Sequence, residues 1–306
     1  MAGHSGQVWD DCRTMKIIHI NAGRDNIGDA LSAKAIHFAL KQRSVENESK
    51  SYVIREVIKN PGVLRLAIDD CVIIGGGGLL GHCPSFDRFW NVYLRMYKKF
   101  PHKTVLWGIG INEHYDAQVF SKTTLKSILS TANLIGVRGP LTHLACSQFA
   151  PKKTQLVPCP TLMLSEVIQE FPKDIDMLFV KHKDFDSKLS LPHITVDNFP
   201  DLNGRIDYLS AIQRARVVLS CSYHGVYWGF LNHCRVIPVS FSTRFDDLNA
   251  LLGIVPLKMR LVELRDDKVV RDRIEVAKHF DYDYGKVSGF MNMNRGFTDS
   301  VVRILQ

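Results

Sequence analysis

Short apolar runs, each closing in small or polar residues, alternate along this chain with segments whose apolar positions recur every three or four residues. Residues 15–20 form a compact apolar run. Polar, glycine-rich residues 21–29 follow, and then Ala30, Leu31, Ala35, Ile36, Ala39 and Leu40 fall at helical spacing. That order of strand, loop and helix opens a parallel α/β unit. It recurs. Residues 69–74, 104–111, 134–140 and 156–161 read as further strands, and residues 86–100 and 141–146 as helices, the first ended by Pro101.

Between residues 164 and 176 the chain turns more polar, which places a linker there. A second set of apolar runs follows at 177–180, 194–196, 217–219 and 236–239, with helical patterns at 206–214, 227–232, 248–252 and, at the end, 297–305. Residues 267–291 are charged and mixed and carry no clear period. Residues 1–14 are polar, lack the apolar stretch of a signal peptide and read as a disordered lead. The expected division is a domain over 15–170 and a second over 171–306 that includes the terminal helix.

Composition narrows the class. A chain of 306 residues, 45% hydrophobic and 23% charged, has the make-up of a soluble globular protein with a sizeable core. Its seven cysteines are scattered, with no Cys-x-x-Cys pair and no His/Asp cluster at metal spacing, so the reading is a reducing cytoplasm and no metal site. No apolar stretch reaches the roughly 20 residues of a membrane helix. The formal charge of +8 suits anionic small substrates or an anionic membrane face. Without an arginine-rich arm or a ribonucleoprotein-type aromatic motif, nucleic acid is not expected as a partner.

The chemistry collects where strands end. Ligands of open α/β sheets sit beyond the carboxyl ends of the strands, against helix N-termini. After the strand at 217–219 come Ser220, Cys221, Ser222, Tyr223, His224 and Gly225. His224 there is either a proton-transfer group with a near-neutral pKa or a helix-start histidine bonded to backbone. Gly225, lacking a Cβ, leaves room for a ligand beside the imidazole. Asp29 is either an acid of the first helical turn or a carboxylate facing the crevice. Gly75, Gly76, Gly77 and Gly78 directly follow a strand, and either present N–H groups to an anion or sugar or permit a crowded crossover. Arg138 closes another strand, where its fork can hold a phosphate or carboxylate, or pair with a surface acid.

Taken in order, Asn26-Ile27-Gly28-Asp29, the four glycines, Gly108-Ile109-Gly110, Val137-Arg138 and Ser222-Tyr223-His224-Gly225 resemble the polysaccharide pyruvyl transferase family over about residues 16–253. The resemblance implies a GT-B-like fold, two Rossmann-like domains facing across a cleft. It implies transfer of a pyruvyl group from phosphoenolpyruvate onto two hydroxyls of one sugar, in a polysaccharide or its lipid-linked precursor, to form a cyclic ketal. It implies His224 as the acid, Asp29 as the base on the acceptor side, and Arg138 as a clamp on the donor. The chemistry demands no cofactor besides the donor substrate. Where the family often carries Arg-Leu-His-Gly, this chain has Ser222-Tyr223-His224-Gly225, so Lys181, His182 or Arg244 has to supply the missing charge. Cys159-Pro160 also replaces the Asp-Pro of many relatives. The substrate-binding set is therefore expected to be Arg138, the four glycines, Asn26, Lys181, Ser222 and Arg244, in a cytoplasmic enzyme at the inner face of the membrane. Two rivals keep the same cleft: a GT-B glycosyltransferase that uses a nucleotide sugar, and a glycan-binding protein that has lost catalysis.

Overall fold

A computed structural model describes residues 15–306 except 24–25, 46–47, 82, 114, 116–120, 183–188, 190 and 198–203. The expected lead over 1–14 lies outside the described residues. The first half runs β1 (Lys16–Asn21), α1 (Ile27–Lys41), β2 (Glu48–Val53), α2 (Ile54–Lys59), β3 (Cys71–Leu80), α3 (Pro84–Lys99), β4 (Lys103–Ile111), α4 (Lys122–Thr131), β5 (Leu134–Val137), α5 (Pro140–Ser147) and β6 (Thr154–Leu156). Its strands are all parallel, in the order β2-β1-β3-β4-β5-β6. The second half runs β7 (Ile175–Lys181), β8 (Ile194–Asp197), α6 (Gly204–Arg214), β9 (Ala215–Ser220), α7 (Tyr223–Leu231), β10 (Arg235–Ser240), α8 (Thr243–Leu252), β11 (Met259–Arg260), α9 (Asp267–His279) and α10 (Lys286–Leu305). Its sheet is also parallel, ordered β11-β10-β9-β7-β8. Both halves wind the same way from their first strand, with the strand order reversing at β1/β3 and at β7/β9. The fold is α/β, two Rossmann-like domains of the GT-B type.

The central strands are buried on both faces, which is why β3, β4, β5 and β9 read as nearly continuous apolar runs. Where sequence and structure differ, the reasons are local. The run at 156–161 forms a strand only as far as Leu156, because Pro158 and Pro160 have no N–H to give a ladder, and Pro160–Met163 coils into a 3-10 turn. The edge strand β2 is polar (Glu-Ser-Lys-Ser-Tyr-Val) and gave no apolar signal. Helix α7 begins at Tyr223, four residues before the expected 227, since Ser222 caps it by accepting from the Gly225 N–H at 3.4 Å. The unplaced region contains α9, capped by Asp266.

The terminal helix does not stay with the second half. Phe297, Val301 and Leu305 of α10 join Ile17, Ile36, Ile73 and Val105 in the core on one face of the first sheet. Phe297 packs edge-on against Trp107, ring centroids 5.2 Å apart, and lies on Gly136, where a Cβ would come within 2.7 Å of the ring. No helix among the described residues is long and apolar enough to cross a membrane.

Candidate active site at the seam between the sheets

The carboxyl ends of both sheets meet, and the side chains singled out by sequence gather there. Asn26 caps α1, its Oδ1 accepting from Gly28 N at 2.9 Å and Asp29 N at 3.4 Å. Asp29 therefore stands in the first turn of α1. A Cβ on Gly28 would run into the imidazole of His224, so the bare face of α1 lets the two domains touch at that ring. Asp29 Oδ1 lies 3.2 Å from where a Cβ of Gly77 would be. The glycine run thus reaches Asp29, Asp29 adjoins Gly28, and Gly28 abuts His224.

Each glycine of the run yields to a particular neighbour. A Cβ on Gly75 would strike the Trp107 carbonyl, and one on Gly76 would meet Ser32 Cβ at 2.7 Å with φ already at +77°. On Gly78 it would stand 3.1 Å from Arg138 Nη2, and on Gly110 only 2.5 Å from Arg138 Nε. The stripped strand ends make a bed for the Arg138 guanidinium. Arg138 is 4% exposed, and its charge sits over the Tyr223 ring at 4.0 Å.

From the second sheet come the polar groups. Arg244, in the first turn of α8, stacks on Phe241 at 4.8 Å and acts with Arg138 on both Asp29 and His224. His182 is buried with its ring edge-on to Phe241. Arg244 thus supplies a second positive charge beside the site, as Ser222 does not. Ser222 is buried and caps α7. Lys181 ends β7 at the carboxyl edge, half-buried and paired in register with Asp197.

His224 is packed on every side. Its Nε2 is 3.7 Å from Cys159 Sγ, and Tyr223 and Trp228 each approach it with ring centroids 5.3 Å away. The Cys159 thiol also lies 3.4 Å from Ser32 Oγ and 3.3 Å from Thr161 Oγ1, and the Ser32 hydroxyl donates to Gly28 O at 2.8 Å. Burial, then the fields of Arg138 and Arg244, hold the His224 imidazole well below its ordinary value. It is neutral at pH 7, against the expectation of a near-neutral pKa. Asp29 is the group poised there: desolvation pushes its carboxyl up to about 7 even though Arg138 and Arg244 pull it down. The Gly225 expectation also fails. A Cβ there would meet Ser220 Oγ and, at 3.0 Å, Val180 Cγ1, so Gly225 serves close packing of α7 on β7 and β9.

Two residues that build the seam escaped the sequence reading as site residues. Tyr223 is one. The other is Asp247, buried in α8, which crosses the seam to cap a helix of the opposite domain. It accepts from Leu141 N at 2.7 Å, Thr142 N at 3.3 Å and the Thr142 hydroxyl at 2.5 Å, in the space that Gly139 leaves bare. The Glu113 carbonyl accepts from Thr243 N at 2.9 Å and Thr243 Oγ1 accepts from Glu113 N at 3.0 Å, stitching the same side.

Comparisons with known proteins agree with this architecture. A family model described as polysaccharide pyruvyl transferase matches residues 26–243, a span from the cap of α1 to the start of α8. Among curated proteins no relative matches. The chain superposes on the UDP-GlcNAc 2-epimerase of Methanocaldococcus jannaschii in complex with UDP-GlcNAc and UDP, with a TM-score of 0.57 and 10% identity, over 96% of this chain and 99% of that one. For the Neisseria meningitidis UDP-GlcNAc 2-epimerase bound to UDP-GlcNAc the values are 0.55 and 11%, over 95% and 99%. At such identities the likeness is one of fold.

Proposed function

The chain belongs to the polysaccharide pyruvyl transferase family and is a transferase, and from that premise we propose that it moves a pyruvyl group from phosphoenolpyruvate onto two hydroxyls of one sugar, closing a cyclic ketal. The observation that carries the proposal is the convergence of Asp29 and His224 with two guanidiniums at the seam. A small trianion needs cations, and Arg138 and Arg244 supply them. The reaction also needs a proton at the methylene carbon and a place for the hydroxyl protons. A carboxyl with a pKa of about 7 is half protonated at neutral pH, which suits Asp29 as the donor of that proton. Neutral His224 then receives the hydroxyl protons. The negative charge of the donor, seated beside the two arginines, offsets their field and makes the imidazole more basic. This exchanges the roles that the resemblance implies for the two residues.

In the proposed sequence, protonation of the methylene carbon leaves C2 electrophilic. The first sugar oxygen bonds to C2 and gives up its proton. The C2–O bond to phosphate breaks, the second sugar oxygen bonds to C2, and its proton leaves in turn. Of the two hydroxyl protons, one replaces that lost to the new methyl group and the other departs with phosphate. The acceptor is a sugar of a polysaccharide or of its lipid-linked precursor, met at the inner face of the membrane.

The test is phosphate release from phosphoenolpyruvate with galactose- and mannose-type acceptors, beside a thermal-shift comparison of phosphoenolpyruvate with UDP-sugars. Phosphoenolpyruvate should raise the unfolding midpoint, and phosphate should appear only when an acceptor is present. Stabilisation by a UDP-sugar with none by phosphoenolpyruvate would overturn the proposal in favour of a nucleotide-sugar enzyme.

A further inference from the structure

Four side chains share one hydrogen-bond network at the seam: Ser32 of α1, Cys159 and Thr161 of the turn that follows β6, and His224 of α7. All four are buried, none more than 4% exposed. The turn is held from α7 itself. The Cys159 carbonyl accepts from Tyr227 Oη at 3.2 Å, and Thr161 Oγ1 accepts from Trp228 Nε1 at 3.0 Å. The thiol is therefore fixed with respect to the helix that carries the imidazole.

The protons of this network can be followed one by one. The single hydroxyl proton of Ser32 goes to Gly28 O at 2.8 Å. Towards Cys159, 3.4 Å away, Ser32 Oγ can then only accept, so the thiol donates. Thr161 Oγ1 has taken the indole N–H, and its own proton is free for the sulfur at 3.3 Å. Burial pushes the Cys159 thiol up from its ordinary value, so it keeps its one proton, and that proton is given to Ser32. Towards His224, 3.7 Å away, the sulfur has only a lone pair to offer, and Nε2 must donate. The opposite assignment, thiol to Nε2, would set lone pairs of Ser32 and Cys159 against each other. The bond made at one ring nitrogen decides that the other is bare.

The bare nitrogen is Nδ1. A Cβ on Gly28 would stand 1.8, 2.1 and 2.3 Å from Nδ1, Cγ and Cε1 of His224. Three such similar distances put Gly28 over the face of the ring at Nδ1 and not in its plane, where the lone pair lies. Among the described residues Nδ1 has no hydrogen-bond partner.

We propose that Cys159, oriented by Ser32, is a positioning residue that holds neutral His224 in its Nε2–H tautomer, so that Nδ1 is the atom that accepts the hydroxyl protons of the sugar. As each sugar oxygen bonds to C2 its O–H bond breaks and the proton passes to Nδ1. The first proton moves on to the departing phosphate and the second to the Asp29 carboxylate. The tautomer stands on the hydrogen bonds alone; its use as a base rests on the transfer proposed above.

The experiment is proton–nitrogen correlation NMR of the full chain carrying ring-labelled histidine, with His224→Ala to assign the signal. Wild type, Cys159→Ala, Ser32→Ala and Cys159→Ser are compared, beside phosphate release from phosphoenolpyruvate. In the wild type the unprotonated nitrogen of His224 should couple strongly to the Cε1 proton alone, which marks it as Nδ1. In Ser32→Ala the thiol is freed to donate to Nε2, and in Cys159→Ala the constraint is gone. Both should populate the Nδ1–H form and lower kcat about 10-fold. Cys159→Ser, which keeps a donor and an acceptor, should hold the wild-type form and most of the turnover. An Nδ1–H imidazole in the wild type would overturn the assignment, and so would alanine variants that keep the Nε2–H form. A tautomer that follows the variants in a protein that releases no phosphate would uphold Cys159 as the positioning residue and remove the reaction assigned above.

Discussion

The two sheets bring opposite things to the seam. At the strand ends of the first, side chains have been removed: Gly76, Gly77 and Gly78 after the body of β3, Gly110 near the end of β4, and Gly28 at the start of α1. At the strand ends of the second they crowd in: Ser220, Ser222, Tyr223 and His224 at and after the end of β9, Ser240, Ser242 and Arg244 at and after the end of β10. A two-domain enzyme can fit closely only if one surface recedes where the other protrudes. Here the receding surface also carries Arg138 and Asp29, which occupy the hollows the glycines leave. The site is built as a socket in one domain and a plug from the other.

That contrast can be broken most sharply at Gly28. In Gly28→Ala, a methyl group would occupy the place of the His224 ring. Activity should fall about 100-fold or more because the plug no longer seats, and stability should drop by about 1–3 kcal/mol from overpacking. Adding His224→Ala should restore much of the thermal midpoint and none of the turnover. A single Gly28→Ala variant with wild-type activity would mean that the domains need not meet at this ring.

Next in size is Asp29→Asn. Turnover should fall about 100-fold or more if this carboxyl carries the proton. Its stability effect has a definite sign. A carboxyl raised from 3.8 to about 7 in the folded protein favours folding in its protonated form; that contribution is full below the unfolded value and is lost as pH rises through 7. The asparagine variant should therefore gain over wild type as pH climbs from 4 to 8, by an upper bound on the order of 4 kcal/mol. Chemical denaturation at pH 5 and pH 8 reads it. An equal midpoint difference at both values would place the carboxyl in ordinary solvent.

The smallest effect belongs to the strap outside the socket. Asp247→Ala removes the cap that α8 lends to α5 and should cost about 2–3 kcal/mol. Because Arg138 lies only two residues before the capped turn, kcat/KM should fall about 10-fold. A stability loss with kcat/KM intact would confine Asp247 to holding the domains together.

Much of this was legible because it is local. A strand that closes in Gly75 to Gly78, in Arg138 or in Ser222-Tyr223-His224 announces its own carboxyl edge, and parallel winding puts those edges on one side. The shared purpose of the glycines was not legible, since what each must avoid lies elsewhere: Asn112 and Arg138 for Gly78, Arg138 for Gly110, His224 for Gly28, Asp247 for Gly139. Nor was the protonation state of His224, which depends on burial against α1 and on two arginines, Arg138 from the other domain and Arg244 from the next strand end. Gly225 misled for the same reason. Its neighbour Ser220 is five residues away, but the turn between them decides that the bare side faces strands. Polar β2 was missed because an edge strand need not be apolar, and Asp247 because an acid within a helix does not declare which helix it caps.

The terminal helix α10 bears on the order of events when the chain is made. Trp107 and Gly136 belong to the first domain, yet their covering, Phe297 with Val301 and Leu305, is encoded in the last twenty residues before Gln306. During synthesis the first sheet must wait, one face covered by α1 alone, while the whole second domain is translated and emerges. At about 5–20 residues per second that delay lasts on the order of ten seconds or more. For that interval the newborn first domain is an apolar surface in search of a cover, and chaperone dependence should fall on it more heavily than on the half made last.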